Sequence, residues 1–111
     1  MRLHGELDIA RLPVLTAVLR GSCRQTRDAW LIVDLRAVTF IDTATVRELK
    51  GAQEHCERAG HGLRLVYDQL FIATILDLLD AAPRFPRYAT ADDARAGREA
   101  PRLPGGRRDH R

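Results

Sequence analysis

Asp42 and Thr43 stand where an apolar run gives way to a helical pattern, and that placement gives one hydroxyl and one carboxylate chemical interest. Val46, Leu49, Ala52, Cys56 and Ala59 recur at steps of three and four, so they line one face of a helix that Gly60 is placed to end. The backbone N–H groups of its first turn lack intrahelical acceptors, and the macrodipole is positive there. A carboxylate or hydroxyl at this point caps the helix. The same hydroxyl is a candidate phosphoacceptor. Phosphate on Thr43 would add about −1.5 to −2 charges at a position that favours anions. Arg47 and Lys50 follow on the same outward face and could balance that charge.

The other reactive side chains do not assemble into a catalytic set. His55 and Cys56 are neighbours in sequence, but neighbours on a helix point about 100° apart, and Cys56 falls on the apolar face. His4, His55, His61 and His110 lack the spacing of zinc ligands, and no glycine loop follows a strand as phosphate cradles require. Asp34, inside an apolar run, is expected to bond to backbone. The chain is therefore expected not to be an enzyme and to need neither cofactor nor metal. Cys23 and Cys56 lie in different elements and are expected to be free thiols.

Several elements must position the Asp42–Thr43 turn. A chain of 111 residues with 45% apolar content has room for one core and is not disordered as a whole. No apolar run approaches a membrane span and the start lacks a secretory pattern, so a cytoplasmic protein is expected. Arg2 to Leu7 reads as a strand broken by Gly5. Pro13 fits the first turn of a helix running to about Gly21, and Ser22 to Asp28 reads as a polar connection. Trp30 to Leu35 is almost wholly apolar and rich in β-branched residues, as a strand covered on both faces should be. After a turn at Gly60-His61-Gly62, Leu63 to Tyr67 forms another strand. Leu70 to Leu79 is a second apolar helix, with Phe71, Ile72, Ile75, Leu76 and Leu79 inward. Pro83 and Pro86 impose an extended passage through Phe85 and Tyr88, and Thr90 caps a last short helix ending near Gly97. Strands alternating with helices imply parallel pairs joined by crossovers.

From Arg98 onward the chain is rich in Arg, Pro and Gly and nearly devoid of apolar residues, so 98–111 is expected to be a flexible tail after a domain at 1–97. Its arginines come without aromatics or a recognition fold, and direct nucleic-acid binding is not expected.

Four blocks of residues together resemble the STAS domain of anti-sigma factor antagonists: Gly5-Glu6-Leu7-Asp8-Ile9-Ala10; Val33-Asp34-Leu35 with Val38-Thr39-Phe40-Ile41-Asp42-Thr43; Gly62-Leu63-Arg64-Leu65-Val66; and Phe85-Pro86 with Tyr88 and Thr90. The resemblance implies an α/β domain with a mixed sheet of three to four strands flanked by three to four helices. The family has a further strand before the Gly-Glu-Leu-Asp block, for which Met1 to His4 leave too few residues; either the start is truncated or something else fills the gap, and the resemblance implies a sheet edge open to pairing with a second copy. It also implies a function: capture of an anti-sigma factor that is a kinase-like ATP-binding protein, release of a sigma factor, and control by phosphorylation of the hydroxyl residue after the turn's aspartate, here Thr43. The resemblance together with the spacing gives a contact surface of Asp8, Asp42, Thr43, Thr45, Arg47 and Lys50. The family's turn reads Asp-Ser-Ser/Thr-Gly-Leu. Here Ala44 replaces the second hydroxyl residue and Thr45 the glycine, which adds β-branched bulk where a partner or nucleotide would approach. That departure keeps open an alternative, a STAS-like subunit of another signalling or lipid-transport assembly that is never phosphorylated. Asp80 stands where the family usually closes its third helix with glycine.

Overall fold

The computed structural model describes residues 1–25 and 29–103. Its organising strand is β2 (Trp30–Ile41), which is twice as long as β1 (Arg2–Leu7) and is used in two halves. Residues 30–34 pair with β3 (Gly62–Val66), while Asp34 to Ile41 pair with β1. The first half lies inside the sheet and is apolar on both faces. The second half has one covered face only, which explains the change from the continuous run at 31–35 to the mixed pattern at 36–41. Two register shifts against β1 disturb the alternation around Arg36 and Phe40, so the sequence shows the strand only to Leu35.

Beyond β3 lies a two-residue strand, β4 (Arg87–Tyr88), giving the order β1-β2-β3-β4. All three pairings are parallel, which corrects the expected mixed sheet. Each connection contains a helix that carries the chain back to the starting end, and a parallel neighbour is the result. The connecting helices are α1 (Leu12–Gln25), α2 (Thr43–Arg58) and α3 (Leu70–Leu78). They share one core with the sheet, built from Leu15, Leu19, Val46, Leu49, Ile72 and Leu76 against Leu31, Val33, Leu35, Leu63 and Leu65. A short final helix, α4 (Ala91–Ala96), covers the other face through Ala94 against Ile32, Val66 and Tyr88. Thr90 Oγ1 caps α4 by accepting the Asp93 N–H at 3.0 Å, and Gly97 closes it at φ 75°. At the end of α3, Asp80 has φ 54°, the left-handed conformation that normally falls to glycine.

Three details depart from the sequence reading. First, α1 runs through Ser22 to Gln25, because Leu15, Leu19 and Cys23 continue one buried stripe at steps of four; Thr26 to Asp28 of the expected connection lie outside the described residues. Second, Phe71 is on the exposed side of α3, and Ile72, Leu76 and Asp77 face inward. Third, Cys23 and Cys56 are joined in a disulfide between α1 and α2, with their Cα atoms 5.4 Å apart, where free thiols were expected. Both belong to the buried stripes of packed helices, and that packing brings them together.

Residues 98–103, the first part of the expected tail, lie along the β4 side. Ala100 N–H donates to Arg87 O at 2.8 Å, Arg87 Nη2 donates to Pro101 O at 3.0 Å, and Arg102 pairs with Asp77 at 3.3 Å. Residues 104–111 lie outside the described region.

Candidate functional site

β1 and β2 end side by side, with Leu7 paired to Ile41, and both chains turn there into helical segments. The two aspartates that follow, Asp8 and Asp42, therefore sit at one end of the sheet. Asp42 holds this junction together. Its Oδ1 accepts the Thr45 N–H at 2.9 Å, which caps α2, and its Oδ2 accepts the Ile9 N–H at 3.0 Å, which ties down the turn after β1. Burial pushes the Asp42 carboxyl up. The Thr45 hydroxyl and the N–H groups of Thr45 and Ile9 outweigh that push and hold it below its ordinary value.

Thr45 is fully buried. Its Oγ1 lies 2.7 Å from Asp42 Oδ1 and 2.9 Å from Leu7 O, so its single proton serves either acceptor and links α2 to β1. Its burial corrects the expectation that Thr45 lines a contact surface. It also removes the bulk assigned to its side chain, which points under the turn, away from any approaching partner.

Thr43 takes the opposite position. It is the first residue of α2 and is exposed. With Asp42 and Thr45 absorbed in the capping network, Thr43 is left as the hydroxyl facing outward. Arg47, one helical turn further, is exposed, and Lys50 is half-buried; neither forms an ion pair among the described residues. Asp8 is half-buried beside the junction, and its Oδ1 has no hydrogen-bond partner among the described residues.

Two apolar residues that the sequence reading passed over belong to this surface. Ile9 is 69% exposed and is held beside Asp42 by its own N–H, and Phe40 is 47% exposed two residues before Asp42. Phe40 alternates with buried Ile41, so it lies on the other face of β2, beyond the reach of α4. That alternation was the available signal. At the start of α3, Gln69 Nε2 donates to Leu35 O at 2.7 Å and to Val38 O at 2.9 Å, which fixes exposed Leu70 and Phe71 near the same end of the sheet. The result is an exposed hydroxyl at a positive helix end, with free basic groups on one side and apolar side chains on the other.

The family model for the STAS domain matches residues 1–94. The chain belongs to the STAS domain family. Among solved structures, an anti-sigma factor antagonist from Mycobacterium paratuberculosis is similar at 24% identity and a TM-score of 0.76, over 86% of this chain and 80% of the other. The anti-sigma factor antagonist SpoIIAA in its unphosphorylated form aligns at 20% identity and a TM-score of 0.70, over 84% of this chain and 80% of that one. The Bacillus cell fate determinant SpoIIAA in its phosphorylated form aligns at 20% identity and a TM-score of 0.62, over 84% and 83%. A search of curated proteins finds no match. At these identities the likeness speaks for the fold, and among the described residues no helix is long and apolar enough to cross a membrane.

Proposed function

We propose that this STAS domain is an anti-sigma factor antagonist: it captures a kinase-like, ATP-binding anti-sigma factor, thereby frees a sigma factor in the cytoplasm, and is switched off by phosphorylation of Thr43. The observation that carries this reading is the division of labour in the turn. Asp42 and Thr45 hold the structure, so the Thr43 hydroxyl can change its chemical state without unmaking the fold.

The energetics favour a switch that acts on a partner. A phosphate on Thr43 would meet the positive start of α2 and Arg47, which forms no ion pair among the described residues, and both accommodate it within this chain. Against a docked protein the same dianion would need a counter-charge or would be buried unpaired, a penalty of roughly 2–5 kcal/mol. That corresponds to a loss of affinity of more than about tenfold. Ile9 and Phe40 give the partner apolar anchors, Asp8 and Asp42 charged ones, with Arg47 and Lys50 on the helix flank.

Ala44 in place of a second hydroxyl residue remains the support for the alternative, a STAS subunit of another signalling or lipid-transport assembly that is never phosphorylated. Thr45 no longer supports it, since its side chain is buried. Incubating the protein with ATP and candidate kinases from its source cells, followed by phosphopeptide mass spectrometry, separates the two. Phosphate on Thr43 and its absence from Thr45 is the expected result, and no Thr43 phosphate with any kinase would favour the alternative.

A further inference from the structure

Among the described residues β1 is an edge strand, paired with β2 on one side. The Met1 amino group donates to Ile32 O at 3.0 Å and Met1 O accepts from the Asp34 N–H at 2.8 Å, so both face β2, and strand alternation turns the N–H and carbonyl of Arg2 outward. At the other end of β1, the Glu6 carbonyl accepts from Arg11 Nη1 at 2.7 Å, an exposed side chain and not a strand. Beside this edge, between β1 and α1, lies an open groove of about 340 Å³ lined by Leu3, Leu7, Ala10, Val14, Leu15 and Val18, with Arg11 at its rim. Val14 and Val18 are exposed there, at 69% and 43%. The edge offers backbone hydrogen bonds, and the adjoining groove offers apolar surface, the combination that an added strand uses.

The sequence of β1 says which strand fits. When two copies of Arg2–Leu7 run antiparallel about a two-fold axis at His4, Arg2 of each copy stands opposite Glu6 of the other. Leu3 stands opposite Gly5, and Met1 opposite Leu7. Arg2, His4 and Glu6 are all exposed on one face, so both charge pairs form on that face. Gly5 has no atom within 4 Å of where a Cβ would be, which leaves room for the facing Leu3. The same two-fold places both α1 helices on one side of the joined sheet, where the two grooves adjoin. We propose that this chain forms a symmetric dimer by antiparallel pairing of its β1 edges, with reciprocal Arg2–Glu6 pairs and the Val14–Val18 surfaces brought together.

Charge reversal tests both the occupant and the register. Wild type, Arg2→Glu, Glu6→Arg, the double reversal and a 1:1 mixture of the two single variants are run in sedimentation equilibrium across a concentration series. Circular dichroism confirms that each folds, since both positions are exposed. Wild type is expected to show a species of twice the 12.5 kDa chain mass. Each single reversal turns two attractive pairs into two repulsive ones and should weaken dimerisation by roughly 10- to 30-fold. The double reversal restores it. In the mixture, one copy carries two acidic and the other two basic residues, so the heterodimer should form where neither homodimer does. A monomeric wild type at all concentrations, or a dimer indifferent to the single reversals, would overturn the proposal.

Discussion

Replacing Thr45 by valine tests whether the buried hydroxyl locks the turn that presents Thr43. Valine keeps the volume and the β-branch, so no cavity opens; the change is the loss of Oγ1, which lies 2.9 Å from Leu7 O and 2.7 Å from Asp42 Oδ1. Leu7 is buried, and a carbonyl there that loses its donor costs about 1–3 kcal/mol. Asp42 retains the N–H groups of Thr45 and Ile9 and is partly open to water, so its share is small. The expected loss is about 2 kcal/mol, or a fall in melting temperature of roughly 8–12 °C for a domain of this size. Thr45→Ser keeps the donor and removes one buried methyl, which should cost only about 1 kcal/mol. Urea titrations followed by the fluorescence of Trp30, the single tryptophan, and by circular dichroism measure both variants. If Thr45→Val loses less than Thr45→Ser, or less than about 0.5 kcal/mol, the hydroxyl does not hold the turn and the division of labour fails.

The Cys23–Cys56 disulfide closes a loop with a sequence separation of 33, and loop-closure entropy puts its contribution at about 4 kcal/mol; a reduced protein, or the paired Cys→Ala variant, should melt markedly lower, and equal melting with and without reductant would contradict the bridge. A methyl at Gly62 would overlap the Trp30 indole, which Arg64 covers at 3.3 Å, so Gly62→Ala should destabilise by about 1–3 kcal/mol and shift the Trp30 emission, while an unchanged spectrum would count against the stacking. Hydrogen bonding to the Arg36 side chain lowers the Asp34 carboxyl against the opposing effect of burial, and Asp42 is also held low. Both therefore contribute stability that is present above the ordinary carboxylate range, near pH 4, and is lost as pH falls through their lowered values. Tyr67 is pushed up to about 12 by burial, so stability should also fall as pH rises from about 10 through that value; a flat stability profile at both ends would contradict these placements.

The helix pattern at Val46, Leu49, Ala52 and Cys56 was legible because one covered face imposes one period, and Thr90 and Gly97 announced α4 by the chemistry of their caps. The second half of β2 was not legible, because two register shifts break the alternation that reveals a half-covered strand. Thr43 and Thr45 could not be told apart by type. Both are hydroxyl residues in the first turn of α2, but the helical period separates them: Thr45 continues the Leu49, Ala52 and Cys56 stripe at steps of four, three and four, and the Leu7 carbonyl of β1 receives its Oγ1. The exposure of Phe40 depends on where α4 stops covering the sheet, and that of Ile9 on the turn after β1, which the Asp42 carboxylate holds in place. The disulfide needed the docking of α1 on α2, which no spacing in the chain encodes.

The most direct test of the central claim is a quantitative pull-down from the source cells with wild type, Thr43→Ala and Thr43→Glu, read by mass spectrometry for kinase-like ATP-binding proteins. Wild type and Thr43→Ala should enrich one such partner, and Thr43→Glu should lose it by more than about tenfold. The same partner held equally by all three would contradict the claim that the exposed hydroxyl at the start of α2 is what the partner reads.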